Sequence, residues 1–209
     1  MKLQQPPRGA GYRTNADAFL LARFAQPTVR AARVYDLGAG VGAIGLSMLH
    51  AAFVDRAVLV ERDAVAVRLA EENARQNGYG DRTDVVRGDV LEVAKAHLGR
   101  ASLVVCNPPY IEPGRGRAPK AGHRDAKMGS VGRFVEAARL VLGQRGKAFF
   151  VYPAAELCTF VETLRESGLE PKRMLFVHPR SAAPARVVLV QAQAGKRGGL
   201  FIEAPVHEH

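Results

Sequence analysis

A run of apolar residues, Leu103-Val104-Val105-Cys106, stops abruptly at Asn107-Pro108-Pro109-Tyr110. Such a run reads as a short buried strand. Neither proline can donate to a ladder, so the strand goes no further, and Pro108 pushes Asn107 towards extended backbone. An amide, a fixed backbone carbonyl and an aromatic ring are then presented together at a strand's C-terminal end. In open α/β sheets that edge is where ligands sit. The plain alternative is a strand-terminating turn that contains Asn and Tyr.

The chemistry that suits this set is methylation of a conjugated amine. The exocyclic nitrogen of adenine, or a glutamine amide, has a delocalised lone pair and is a poor nucleophile. The Asn107 side-chain oxygen and the Pro108 carbonyl could accept its two N–H bonds and hold the lone pair towards a methyl donor, which is electrostatic positioning rather than proton abstraction. Tyr110 would stack on the planar substrate.

Upstream, strands and helices alternate. Residues Met1–Gly11 read as an irregular arm. Thr14–Phe24 fits a short amphipathic helix with Asn15 as N-cap, Phe19, Leu20 and Phe24 inward, Arg23 outward and Pro27 closing it. Asp17 fits either the dipole of that helix or the site. Val34–Leu37 reads as the first strand, followed by the loop Gly38-Ala39-Gly40-Val41-Gly42-Ala43 and a helix to His50. Glycines there let the backbone turn tightly and approach a ligand, and Gly38, Gly40 and Ala43 also satisfy a dinucleotide fingerprint. A second strand, Ala57–Val60, ends at Glu61, roughly 20 residues past the loop, the usual place of a ribose-binding acid. Asp63 caps a helix over Ala64–Gln76, stopped by Asn77-Gly78. The third strand, Thr83–Arg87, ends in Gly88-Asp89-Val90. Asp89 fits two roles, acceptor for an adenine amino group or N-cap of a helix over Val90–Leu98.

After Tyr110 a long loop reaching about Met128 carries Arg115, Arg117, Lys120, Arg124 and Lys127. A basic arm beside a strand end suits a phosphate backbone; otherwise it is a solvated charged loop. A helix over Gly132–Leu142, with Phe134, Ala137, Ala138, Leu140 and Val141 inward, leads to a strand over Gly146–Val151. A helix from about Ala154 to Ser167 and strands within Leu169–Val177 and Arg186–Ala192 follow. Alternating elements with two closing strands give a doubly wound α/β sheet.

The net charge of +10 over 209 residues points to a polyanion, most simply nucleic acid, or else to a basic compositional bias. Cys106 and Cys158 suggest neither a disulfide framework nor a metal site. The start lacks the apolar core of a signal peptide, and no run approaches the ~18 apolar residues of a membrane span. The chain therefore reads as cytoplasmic, with no membrane partner and no metal.

Taken together, these residues resemble the Rossmann-like S-adenosylmethionine-dependent methyltransferases. Asp36-Leu37-Gly38-Ala39-Gly40-Val41-Gly42 resembles their methionine-moiety loop. Glu61 matches their ribose-binding acid, Asp89 their adenine-contacting acid, and Asn107-Pro108-Pro109-Tyr110 their amino-methylating motif. The resemblance implies a seven-stranded, mostly parallel sheet of order 3-2-1-4-5-7-6, the seventh strand antiparallel, with helices on both faces. It implies S-adenosylmethionine as cofactor, bound by Asp36, Gly38, Ala39, Gly40, Gly42, Glu61, Arg62, Asp89 and Val90 with Asn107 and Asp17. Catalysis would lie with Asn107, Pro108, Pro109 and Tyr110, and RNA binding with the basic loop. A narrower resemblance covers nearly the whole chain. Gly11–Ala22 is similar to the N-terminal segment of bacterial tRNA adenine-N6 methyltransferases that modify adenosine 37 of a valine tRNA, and Pro179–Val190 to their last strands. Thr14 and Asn15 depart from that segment, which has an aromatic residue and Ser there. The expected organisation is one methyltransferase domain, with an arm and helix over 1–30, a core over 31–195 and a tail over 196–209, acting as a monomer or weak dimer.

Four rival readings remain. Glutamine methyltransferases of release factors share the Asn-Pro-Pro-Tyr motif but carry a helical domain before the core, and only about 30 residues precede the first strand here, too few for one. An rRNA adenine or guanine N-methyltransferase fits the same residues. An NAD-dependent oxidoreductase would use the glycine loop but leaves Asn-Pro-Pro-Tyr unexplained. A non-catalytic RNA-binding module would not need the loop.

Overall fold

The computed structural model describes residues 1–7, 14, 16–109, 124–195 and 197–208, with the side chains of 124–130 outside the description. Its centre is a sheet in which β1 (Ala31–Leu37) lies between β2 (Val54–Glu61) and β4 (Ala101–Cys106), all parallel. Outward on one side, β2 pairs with β3 (Thr83–Arg87); on the other, β4 pairs with β5 (Leu142–Pro153). Antiparallel β7 (Val187–Gln193) follows β5, then β6 (Glu170–His178). The order is thus 3-2-1-4-5-7-6, as the resemblance implies.

Both sheet faces are covered, so the strands read as apolar runs rather than as alternation. Val34, Leu59, Leu103, Val105, Phe149 and Leu189 face one core layer with α1 (Ala16–Phe24), α2 (Ala43–His50) and α3 (Ala64–Gln76). Tyr35, Val58, Val104, Cys106, Phe150 and Val190 face the other, with α4 (Val90–Ala96), α5 (Arg124–Val141) and α6 (Leu157–Glu166). Register carries the C-terminal ends of β1, β2 and β4 to one level: Leu37 lies opposite both Val60 and Cys106, and Glu61 lies opposite Arg87.

Two expectations are corrected. In α1 the buried residues are Asp17, Ala18, Leu21, Ala22 and Phe24, whereas Phe19 is exposed. The stripe turns because Asp17, not Phe19, is drawn inward by an arginine from β7's start. Secondly, α5 begins at Arg124, so Arg124 and Lys127 belong to a helix, not to a loop reaching Met128. Beyond the expected seven strands, the tail adds β8 (Phe201–Ile202) and β9 (Val206–His207), both parallel to β6.

The N-terminal arm is also held. Asn77 and Lys2 exchange two hydrogen bonds, of 2.9 and 2.7 Å. One turn earlier, Asn73 accepts from the Gln4 N–H and donates to the Gln4 carbonyl. The i, i+4 spacing places both amides on one face of α3, where they mimic the edge of a strand. Among the described residues, no helix is long and apolar enough to cross a membrane.

Candidate functional site

The strand ends bring the glycine loop, two carboxylates and Asn107 to one edge of the sheet. The loop leaves β1 with the Gly38 and Ala39 N–H groups both donating to the Val60 carbonyl, at 2.9 and 3.0 Å. Gly38, Gly40 and Gly42 all have left-handed backbones, with φ of +73°, +55° and +84°, where a Cβ is unfavourable. Their surroundings differ. A Cβ at Gly38 would meet the Phe134 ring at 2.8 Å and one at Gly42 would meet Leu59 at 2.8 Å, but nothing lies within 4 Å of one at Gly40. The loop is therefore packed at both ends and open in the middle.

Glu61 spans the loop and the start of the next helix. Its Oε2 accepts from the Gly40 N–H at 2.9 Å, and its Oε1 from the Arg62 and Asp63 N–H groups at 2.8 and 2.9 Å. Arg62 itself is exposed. Asp63 caps α3 through the Val65 and Ala66 N–H groups, as expected from the Asp63 and Asn77-Gly78 signals.

Asp36 is fully buried on β1. Its Oδ2 accepts from the Gly45 N–H at 2.9 Å, while its Oδ1 has no hydrogen-bond partner. Burial pushes its pKa up to about 7 against the Gly45 bond, and the nearby Glu61 charge adds to the rise. A buried carboxylate oxygen with no partner beside an open glycine loop is an unmet acceptor, the sort of group a ligand cation or donor satisfies. The neighbouring Cys106 thiol is pushed well up by burial and then by Asp36, so it is an inert apolar filler.

Asp89 follows β3 and takes the N-cap role: it accepts from the Leu91 N–H at 3.0 Å. The Arg133 guanidinium of α5 donates to it at 2.7 Å. Partial burial works to raise its pKa, but the Leu91 N–H, Arg133 and the Glu92 N–H together lower it. Val90 next to it is buried. On the other side of β1, Asn107 is half-buried, Pro108 buried and Pro109 exposed.

Tyr110, Arg115, Arg117 and Lys120 lie outside the described residues, as does Asn15. Asp17 comes to the same sheet edge from α1, through Arg186 just before β7, where Val187 lies opposite Pro153 at the end of β5. It is 0% exposed and takes a two-bond contact from Arg186 at 3.0 and 2.6 Å, and Arg186 also pairs with Glu208 in the tail. Residue-by-residue reading missed Arg133, Arg186 and Asn73, and placed Phe134 inward without its contact to Gly38. Asn73, which also donates to the Val41 carbonyl of the glycine loop at 3.0 Å, had a readable signal in its i, i+4 partner Asn77. The others act across the chain and carry none.

An open, mostly parallel sheet with a glycine loop after β1 and acids after β2 and β3 defines a Rossmann-like methyltransferase arrangement. The chain belongs to the Methyltransferase small domain family, whose profile matches residues 14–165. It is 30% identical over 159 residues to the tRNA1(Val) (adenine(37)-N6)-methyltransferase of Enterobacter sp. (strain 638), a match covering 75% of this chain and 64% of the relative. The chain thus spans less than two thirds of that relative's length. It is 28% identical over 201 residues to the protein of the same name from Actinobacillus succinogenes, covering 94% and 83% of the two chains. Among solved structures, a predicted O-methyltransferase from Agrobacterium tumefaciens superposes with a TM-score of 0.68 at 22% identity, over 92% of this chain and 87% of that one. That likeness is one of fold.

Proposed function

We propose that this protein is an S-adenosylmethionine-dependent N-methyltransferase that acts on N6 of an adenine in tRNA, adenosine 37 of a valine tRNA. The observation that carries the reading is the register of β1 and β4. Leu37 opposite Cys106 sets Gly38 of the open loop beside Asn107-Pro108, so a cofactor and an amino group would meet across one strand spacing.

The residues present fit such a cofactor. The open space at Gly40, the unmet Asp36 Oδ1 and the carboxylates after β2 and β3 offer a backbone cradle, a partner for an ammonium group, an acceptor for ribose hydroxyls and an acceptor for an adenine amine. Gly38, Ala39, Gly40 and Gly42 would line it, with Asp36, Glu61 and Asp89 as charged contacts and Arg62, Val90 and Asn107 flanking. When bound, the cofactor supplies an electrophilic methyl group on a sulfonium.

The chain's own part is to prepare the nucleophile. The Asn107 side-chain oxygen and the Pro108 carbonyl accept the two N6 hydrogens, which draws the lone pair out of conjugation and directs it. Pro109 holds this pair extended, because a proline after Pro108 restricts it too. Tyr110 stacks on the base, which must leave its helix to enter. The N6 proton departs to solvent after transfer. The net charge of +10 favours a phosphate backbone, and Arg115, Arg117, Lys120, Arg124 and Lys127 are assigned to it. The names of the Enterobacter and Actinobacillus relatives support adenine and valine tRNA.

The test is methyl transfer from labelled S-adenosylmethionine to unmodified tRNA, rRNA and release factor offered separately, followed by nucleoside analysis. N6-methyladenosine in valine tRNA is the expected outcome. Label in rRNA or in a protein glutamine would keep the Asn107-Pro108 chemistry and overturn the substrate; no transfer to any of them would overturn the reading as a whole.

A further inference from the structure

Two consecutive residues of α5 reach the cofactor loop and its acids from outside the strand ends. Phe134 lies against Gly38, near enough that a Cβ there would touch its ring at 2.8 Å. Arg133 bonds Asp89 Oδ1 at 2.7 Å, and the Leu91 N–H bonds the same oxygen at 3.0 Å. The Glu92 N–H also draws on this carboxylate, but its two oxygens offer about four acceptor sites, so Oδ2 keeps a lone pair for a ligand. An N-cap alone needs one acceptor and tolerates any donor or acceptor state of the second oxygen. A guanidinium on the capping oxygen does more: it holds the group ionised, and so an acceptor only.

We propose that Arg133 is a positioning residue for adenine recognition, directing Asp89 so that its Oδ2 accepts from the exocyclic amine of a nucleoside seated on the glycine loop. This role rests on the reading of the loop as an adenosine-cofactor site. Arg133 and Asp89 side chains are 49% and 37% exposed, so solvent screens the pair and the expected effect is modest, about fivefold in affinity.

Titration calorimetry with S-adenosylhomocysteine and S-inosylhomocysteine tests it, because the inosyl compound replaces the amino donor with a carbonyl. Wild type should prefer the adenosyl compound. Arg133→Ala should bind that compound about fivefold more weakly and the inosyl compound unchanged, with Arg133→Lys recovering part of the preference. Equal weakening towards both compounds would mean a merely structural role and overturn the proposal. Unchanged or tighter adenosyl binding by Arg133→Ala would overturn it too, since Arg133 would then be idle or in competition with the base. Wild type that binds neither compound would overturn the cofactor reading, and this role with it.

Discussion

Asn107 holds its place because two prolines end β4 immediately after it, and that local mark made it legible. Glu61 and Asp89 were readable for a similar reason: one closes β2 and the other follows Gly88 just past β3, each where a strand gives way to a helix. Arg133 and Arg186 were not, since they meet their carboxylates across 44 and 169 residues, and one sequence carries no trace of such pairing. For Asn107→Ala, loss of one of two acceptors on the reacting amine should lower turnover about 10²–10³-fold. Binding of S-adenosylmethionine should be retained, and single-turnover kinetics beside calorimetry separate the two; near-normal turnover would remove Asn107 from catalysis. Asp36 gives a second prediction at this scale. Burial, first of all, raises its pKa to about 7 in the folded protein, against about 3.9 in an unfolded chain. Between those values the folded state holds a proton that the unfolded state has lost, so the Asp36 contribution to stability falls as pH rises through that window. Asp36→Asn cannot titrate, and its amide oxygen can still accept from Gly45. The variant's stability relative to wild type should therefore climb from about pH 4 to about pH 7 and then level off. Denaturant curves at four pH values would show it, and parallel profiles for the two proteins would refute a titrating Asp36.

Among the elements, α3 shows how local signals fix a boundary: Asp63 caps its start and Asn77-Gly78 stops it, and the helix runs over the residues those signals imply. Helix α5 shows the opposite. Gly129, Ser130 and Gly132 are weak helix formers, so propensity places the start late, yet the helix runs from Arg124. In α1, aromatic Phe19 was the natural inward choice, but a distant guanidinium turned Asp17 inward instead. Helix α2 carries a constraint that the glycine loop masks. Gly45 sits in the helix proper, where a Cβ would meet Leu59 at 2.5 Å and Ala57 at 3.5 Å. It sits close against β2, and its N–H serves Asp36. Gly45→Ala gains about 1 kcal/mol of helix propensity. Leu59 is fully buried and cannot swing away cheaply, so overpacking of about 1–3 kcal/mol should win. We expect a net loss of stability, together with weaker cofactor binding as the loop shifts; a variant more stable than wild type would mean that α2 moves freely on the sheet.

At the scale of the whole molecule, the two ends of the chain close on the same sheet edge. Arg186, at the start of β7, pairs with Asp17 of α1 and with Glu208 beyond β9. Its pKa is raised, most by Asp17. Neither terminal segment could have been placed from sequence, because α1 and β9 are each too short to declare a partner and only the folded sheet brings them together. The three groups are not equivalent: Asp17 is 0% exposed, while the Arg186 side chain retains 32% of its exposure. Removing Arg186 takes two charge-assisted hydrogen bonds from a buried carboxylate, and that costs more than the pair itself contributes. Arg186→Met should destabilise the protein by about 2–3 kcal/mol, below the 3–5 typical of a fully buried pair because water still reaches this arginine. Asp17→Asn in the Arg186→Met background should return much of the loss, since the neutral amide no longer needs a cation. Glu208→Gln, at the more exposed arm, should cost less than about 1 kcal/mol. Urea unfolding of wild type, Arg186→Met, Asp17→Asn and the double variant gives a double-mutant cycle for Asp17 and Arg186. A coupling near zero would mean that α1 is held by Leu21 and Phe24 alone and that the charged node is incidental to closing the chain.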